Sequence, residues 1–89
     1  MFTYDYWCSE VLTFKAIFES PGLQDEVYVG ALNGLSILVG YTIETDPGHK
    51  AEVIQEFREC FALAKQAKGV AWMRDHAMVF ATHGSNMPM

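Results

Sequence analysis

The longest weakly polar part of the chain covers residues 27–43 and is interrupted at Asn33-Gly34. The runs on either side, 27–32 and 35–43, are rich in Val, Ile, Leu and Tyr, and these residue types favour β-strands. Asn-Gly tolerates the two positive φ angles of a type I′ turn. The pattern therefore predicts a β-hairpin with a two-residue turn at Asn33-Gly34.

The predicted turn sets the register of the hairpin, because a two-residue loop pairs Leu32 with Leu35 and Tyr28 with Val39. Paired side chains point to the same face, which then carries Tyr28, Leu32, Leu35, Ile37, Val39, Tyr41 and Ile43. The opposite face carries Val27, Val29, Ala31 and Leu38 beside Ser36, Thr42 and Glu44. Since about half of this second face is apolar, we expect both faces to need cover.

A second hydrophobic pattern, with three- and four-residue steps, predicts a long amphipathic helix over residues 46–68. Asp46 is a candidate N-cap, Pro47 suits a first turn, and Gly69 follows in the usual stop position. The apolar stripe consists of Val53, Ile54, Phe57, Cys60, Phe61, Ala64 and Ala67. We expect this stripe to pack on one face of the sheet.

The N-terminal twenty residues allow two interpretations. In the first, 2–8 is a strand and Ser9 caps a helix over 10–20 that ends at Pro21-Gly22, with Trp7, Val11, Phe14 and Phe18 on one helical face. In the second, residues 10–19 form a strand, which their β-branched and aromatic content slightly favours. Farther along, residues 70–73 and 78–82 resemble strand material on either side of a polar turn.

Together these elements predict an α+β fold, in which the 46–68 helix packs on an antiparallel sheet built around the hairpin. The order is βββαβ(β) or, with a helix over 10–20, the βαββαβ of a ferredoxin-like sandwich. We expect one domain over residues 1–83 and a flexible tail over 84–89. Either topology leaves a sheet face without a helix from this chain.

Composition narrows the class of protein. Of the 89 residues, 51% are hydrophobic and 19% charged, which argues against disorder. The net charge is −5, with seven acids and one base in residues 1–46, so the chain lacks the basic face of a nucleic-acid binder. No apolar run approaches the roughly 18 residues of a membrane span. Without a signal-peptide pattern, and with Cys8 and Cys60 far apart, we expect a cytoplasmic protein with reduced thiols.

Candidate chemistry is sparse. Asp75 and His76 are a possible acid/base pair, although adjacent residues rarely converge on one substrate and such a turn is more often only polar. The aromatic residues Trp7, Tyr28, Tyr41 and Trp72 are candidates for lining a ligand pocket, with His76 or His83. The histidine and cysteine spacings match no metal pattern, and no cofactor motif is present, so neither a metal nor a cofactor is expected.

These observations favour a homodimeric interaction module over an enzyme. The uncovered sheet face predicts an interface that includes Val27, Val29 and Leu38, and a further protein partner is possible. One alternative is a small-ligand binder or enzyme of the dimeric ferredoxin-like kind. Another is a phage or mobile-element protein that inhibits a host factor through its acidic N-terminal half.

Overall fold

A computed structural model describes residues 2–76, of which 87% are helical. The helices are α1 (Tyr4–Phe18), α2 (Asp25–Thr45), α3 (Lys50–Lys68) and α4 (Val70–His76), with a short 3-10 helix at Pro47–His49. No residue between 2 and 76 belongs to a strand. The predicted α+β fold is therefore wrong, in both its βββαβ(β) and its ferredoxin-like form.

The hairpin prediction fails because α2 continues without a break through Asn33-Gly34. The buried side chains of α2 follow steps of four and three residues, which is the period of a helix and not of a strand: Tyr28, Leu32, Leu35, Val39 and Thr42, with Ser36 and Leu38 beside them. The positive φ angles in the described residues belong to Gly22, in the α1–α2 loop, and Gly69, and Gly34 has none. Asn-Gly permits a turn, but α2 gains more by burying one continuous apolar stripe.

Helix α1 also replaces predicted strands, at residues 2–8 and at 10–19. It begins after Thr3, whose hydroxyl accepts a hydrogen bond from the Tyr6 amide at 3.2 Å. Its buried residues are Trp7, Val11, Phe14 and Phe18, the face named in the helical interpretation. Helical spacing therefore outweighed the β-branched and aromatic content of this segment.

The predicted helix over 46–68 is present as α3, preceded by the 3-10 turn. Asp46 does not cap it through its side chain, whereas Gly69 ends it with φ +93°. Val53, Ile54, Phe57, Cys60 and Ala64 of the predicted stripe are buried, Phe61 is half-buried and Ala67 is exposed. The stripe packs on helices, because this part of the chain has no sheet to receive it.

Residues 70–73, predicted as strand, form the first part of α4. The predicted strand over 78–82, His83 and the predicted tail over 84–89 lie outside the described residues.

One hydrophobic core lies between α1, α2 and α3. Trp7 and Phe14 from α1, Leu32 from α2, and Val53 and Cys60 from α3 are each at most 2% exposed. Helix α4 joins this core through Met73, which is 7% exposed, and through the half-buried Trp72. The apolar stripes of the helices thus pack against one another. The candidate site is formed by the apolar residues that remain exposed.

Candidate interaction surface

The side of α2 that faces away from the core is weakly polar over most of the helix. We call Val27, Gly30, Gly34, Ile37 and Tyr41 the open face; their three- and four-residue steps place them on one side of α2. Val27, Ile37 and Tyr41 are 42%, 50% and 49% exposed. Apart from the adjoining residues and backbone of α2 itself, no heavy atom of the described residues lies within 4 Å of a Cβ built on Gly30 or Gly34. The open face is about 21 Å long, at 1.5 Å per residue.

Aromatic side chains from the start of the chain extend the open face at its Tyr41 end. The Phe2 ring stacks on the Tyr41 ring, with centroids 5.0 Å apart and planes at 19°, and it also lies 6.3 Å from the Tyr6 ring. Phe2 and Tyr6 are 40% and 45% exposed. Phe2, Tyr6 and Tyr41 are called the aromatic cluster below.

A group of polar contacts holds the first turn of α1 against the α2–α3 connection. The Tyr4 amide donates a hydrogen bond to Asp46 Oδ2 at 3.3 Å, and Asp46 Oδ1 lies 2.9 Å from His49 Nδ1. The Tyr4 and His49 rings stack in parallel, 4.2 Å apart. Tyr4, Asp46 and His49 are called the Tyr4 cluster. Because all three contacts converge on the α2–α3 connection, they fix where α1 begins.

Glu56 of α3 fastens the same turn from the other side. The Tyr4 hydroxyl donates a hydrogen bond to the Glu56 carboxylate and lies 3.1 Å from each oxygen. The Trp7 indole N–H donates a second hydrogen bond to Oε1, at 3.1 Å. Burial, together with the neighbouring Cys8 and Glu56, raises the pKa of the Tyr4 phenol. The phenol therefore remains a neutral hydrogen-bond donor at ordinary pH.

Asp46 and His49 shift each other's titration. Their hydrogen bond is the main reason why the pKa of Asp46 is lowered and the pKa of His49 is raised. The carboxylates of Glu52 and Asp5 raise the His49 pKa further. The imidazolium form of His49 is therefore favoured in the folded chain.

A second polar group lies at the opposite end of α2 and attaches α4. The Asp25 carboxylate accepts the Trp72 indole N–H at 3.2 Å and lies 3.7 Å from Lys68 Nζ and 3.9 Å from His76 Nε2. Lys68 Nζ also lies 4.1 Å from the centre of the Tyr28 ring. These contacts hold α4 beside the first turn of α2.

The residues predicted for acid/base chemistry do not converge. Asp75 Oδ1 is 3.9 Å from Arg74 Nε, whereas His76 Nδ1 is 3.1 Å from the Trp72 carbonyl oxygen. His76 stacks on the Trp72 ring at 4.5 Å and faces Asp25 through its other nitrogen. The two residues thus have separate partners on the surface of α4.

The aromatic residues predicted to line a ligand pocket are divided among three places. Tyr28 and Trp72 meet edge to face with centroids 6.4 Å apart, beside α4. Trp7 is fully buried in the core, and Tyr41 lies in the aromatic cluster at the far end of α2. Tyr41 lines a groove with Ile37, Gly40 and Glu44, and Trp7, Tyr28 and Trp72 are not part of that groove.

The residues predicted for an interface are redistributed because the helix replaces the strand register. Val27 belongs to the open face, Val29 is half-buried on its flank, and Leu38 is only 7% exposed. From the sequence, Gly30 suggests a bulge or a close approach by another backbone, whereas Ile37 and the Tyr4 cluster were not predicted as parts of a site. The three- and four-residue spacing from Val27 to Tyr41, and the three-residue spacing of Asp46 and His49, were the available signals.

Other chemistry is limited in this part of the chain. No group of three or more His, Cys, Asp or Glu among residues 2–76 could hold a metal ion. Cys8 and Cys60 are free thiols. Burial raises the pKa of Cys60 to about 11, so this thiol is protonated and a poor nucleophile at neutral pH.

Comparisons with protein-family models, with curated proteins and with solved structures gave no match to this chain. Among the described helices, α2 has the length and apolar composition of a membrane span, and 39% of its most apolar window is buried. The core helix of a soluble protein or a signal sequence passes the same test, so this is weak support for a membrane segment.

Proposed function

We propose that this chain is an interaction module that forms a homodimer through the open face of α2. The observation that carries the proposal is a weakly polar stripe about 21 Å long on the outer side of a well-packed helix. Its five residues carry no formal charge, and the carboxylates of Glu10, Glu26 and Glu44 border it. An apolar patch of this kind is more often an interaction site than ordinary surface on a small protein.

A second copy of the chain fits this face better than a charged partner. Gly30 and Gly34 lack side chains, so another helix backbone can approach closely at this point, as it does in helix pairs built on small residues. Ile37 and Tyr41 then pack beside the contact. Two-fold symmetry presents the same patch from both sides, which is the commonest way to bury a self-complementary surface.

The acidic residues near the ends of α2 favour a crossed arrangement of the two helices in the dimer. Glu26 and Glu44 lie near the two ends of α2, so parallel or antiparallel alignment along the whole length would bring carboxylates together. Helices that cross at Gly30 and Gly34 diverge at both ends and separate these charges. Since each chain carries a net charge of −5, we expect added salt to tighten the dimer.

Sedimentation equilibrium between about 1 µM and about 300 µM tests the dimer, because a small helical interface associates in this range. We expect the parent to approach twice the 10.0 kDa chain mass at the upper end. Ile37→Asp puts a carboxylate into the contact and should leave a monomer with unchanged helical circular dichroism. Leu12→Asp is the matched control, because Leu12 is 69% exposed on α1 and does not line the groove at Gly30 and Gly34, and this variant should dimerise like the parent.

A parent that remains monomeric throughout this range would refute the homodimer. If a chain without residues 77–89 then dimerises, the occupant of the open face is the chain's own C-terminal segment. Binding of the full chain to lipid vesicles, abolished by Ile37→Asp, would instead assign the face to a membrane surface. Either result would overturn the proposal that a second copy is the partner.

A further inference from the structure

The Tyr4 cluster and the aromatic cluster lie on the same short segment, because residues 2, 4 and 6 alternate between them. Phe2 contacts Tyr41 in the last turns of α2, and Tyr4 contacts Asp46 just after α2 ends. The position of Phe2 over Tyr41 therefore depends on whether the first turn of α1 is held in place.

We propose that the Tyr4 cluster is a proton-dependent latch that controls whether the aromatic cluster is assembled at the Tyr41 end of the open face. When His49 is protonated, the latch holds Phe2 against Tyr41 and beside Tyr6, and this completes the apolar surface. When His49 loses its proton, its attraction to Asp46 weakens and Phe2 separates from Tyr41, while Glu56 still holds Tyr4 and Trp7. This regulation rests on the proposed homodimer, since the aromatic cluster extends the same surface.

The groups that face His49 come from each element packed around it. Asp46 lies in the connection, Tyr4 and Asp5 are on α1, and Glu52 is on α3. The three carboxylates attract an imidazolium, and the Tyr4 ring stacked at 4.2 Å offers its π-face to a cation. Desolvation of the ring lowers the His49 pKa, but the hydrogen bond to Asp46 is the larger effect, so the charged ring is favoured.

The direction of the pH effect follows from the His49 pKa, which is raised above the ordinary value of 6.5. Below 6.5 the ring is charged in both the closed and the open latch, and the attraction to Asp46 is fully present. As the pH rises through the raised pKa, the ring loses its charge, and the ion pair with Asp46 is reduced to a weaker hydrogen bond from the neutral ring. We therefore expect a closed latch in mildly acidic solution and a looser one in mildly alkaline solution.

Nuclear magnetic resonance at about pH 5.5 and about pH 8.5, on either side of the histidine range, tests the latch directly. Cross-peaks between the Phe2 and Tyr41 rings should be strong at the lower pH and weak at the higher one. His49→Gln, which mimics the neutral ring, should give weak cross-peaks at both. His76→Gln is the control, because His76 faces Asp25 at the other end of α2, and it should behave like the parent.

The dimer gives a second and separate readout. We expect the parent dissociation constant to be about fivefold larger at the higher pH, a typical size for coupling between two sites, and the His49→Gln constant to change little. Equal Phe2–Tyr41 cross-peaks at both pH values would overturn the latch, whatever the parent's oligomeric state. Cross-peaks that change with pH in a chain that is always monomeric would support the latch and overturn only the proposed homodimer.

Discussion

Two buried hydroxyl groups on α2 differ in whether they have a hydrogen-bond acceptor. Ser36 and Thr42 are both fully buried. The Ser36 hydroxyl donates to the Leu32 carbonyl oxygen at 2.7 Å, whereas Thr42 Oγ1 has no hydrogen-bond partner among the described residues. A buried hydroxyl without a partner loses its hydrogen bonds to water and receives nothing in return. Thr42 is therefore a local weakness in an otherwise apolar contact region.

Thr42→Val should stabilise the fold, because it replaces the unpartnered hydroxyl with a methyl group of nearly the same shape. We expect the free energy of unfolding to rise by about 1 kcal/mol in urea denaturation. Ser36→Ala is the matched control, since it removes a hydroxyl that has a partner, and it should lower the free energy of unfolding. A Thr42→Val variant less stable than the parent would mean that the hydroxyl does have a partner in solution.

At the scale of helices and strands, the period of the hydrophobic pattern decided which predictions succeeded. Residues 46–68 contain charged residues between the apolar ones, so the helical stripe of α3 is readable from the sequence. Residues 27–43 are apolar on nearly every side, so a strand period and a helical period fit almost equally well. Asn33-Gly34 then favoured the hairpin, because a turn dipeptide is a strong local signal.

The candidate site was only partly predictable for the same reason. Apolar residues were expected to be left exposed on residues 27–43, and Val27 is among them. The strand register, however, grouped Val27 with Leu38, which is buried, and assigned Ile37 to the covered face although it is 50% exposed. The Tyr4 cluster could not be found from local pattern, since it joins residues more than forty positions apart.

Glycine substitutions distinguish the helix from the predicted hairpin and test the open face. Gly34→Ala should stabilise the monomer by about 1 kcal/mol, because alanine is the better helix former and no atom of the described residues obstructs its Cβ. In a type I′ turn the same change would destabilise the chain, since it needs positive φ. Thermal unfolding at low concentration measures this effect.

Gly40→Ala is the matched control for this test. Gly40 is also helical and unobstructed, and it lines a groove with Ile37 and Tyr41, but it lies six residues beyond Gly34, where the crossing helices diverge. Both variants should stabilise the monomer equally, whereas only Gly34→Ala should weaken the dimer by separating the two backbones. Equal dimer dissociation constants for the two variants would contradict the proposed crossing point.

At the scale of the whole molecule, a small core limits how much stability one chain can provide. A domain of this size buries only about 60–65% of the surface of its unfolded chain. The described part has a single core between three helices, and two polar groups fasten its ends: Glu56 with the Tyr4 cluster, and Asp25 with α4. Burial of the open face against a second copy would add apolar contact that this core does not supply.

Association of this kind predicts a melting temperature that depends on protein concentration, because only the folded chain can dimerise. Over a hundredfold rise in concentration, we expect the parent melting temperature to increase by roughly 3 °C or more. Ile37→Asp, which should remain monomeric, should melt at the same temperature throughout, and Leu12→Asp should follow the parent. Differential scanning calorimetry measures these melting temperatures, and so tests the proposed interface through its effect on the stability of the fold. A parent melting temperature that does not change with concentration would mean that the core and its two polar fastenings account for the stability without a second chain.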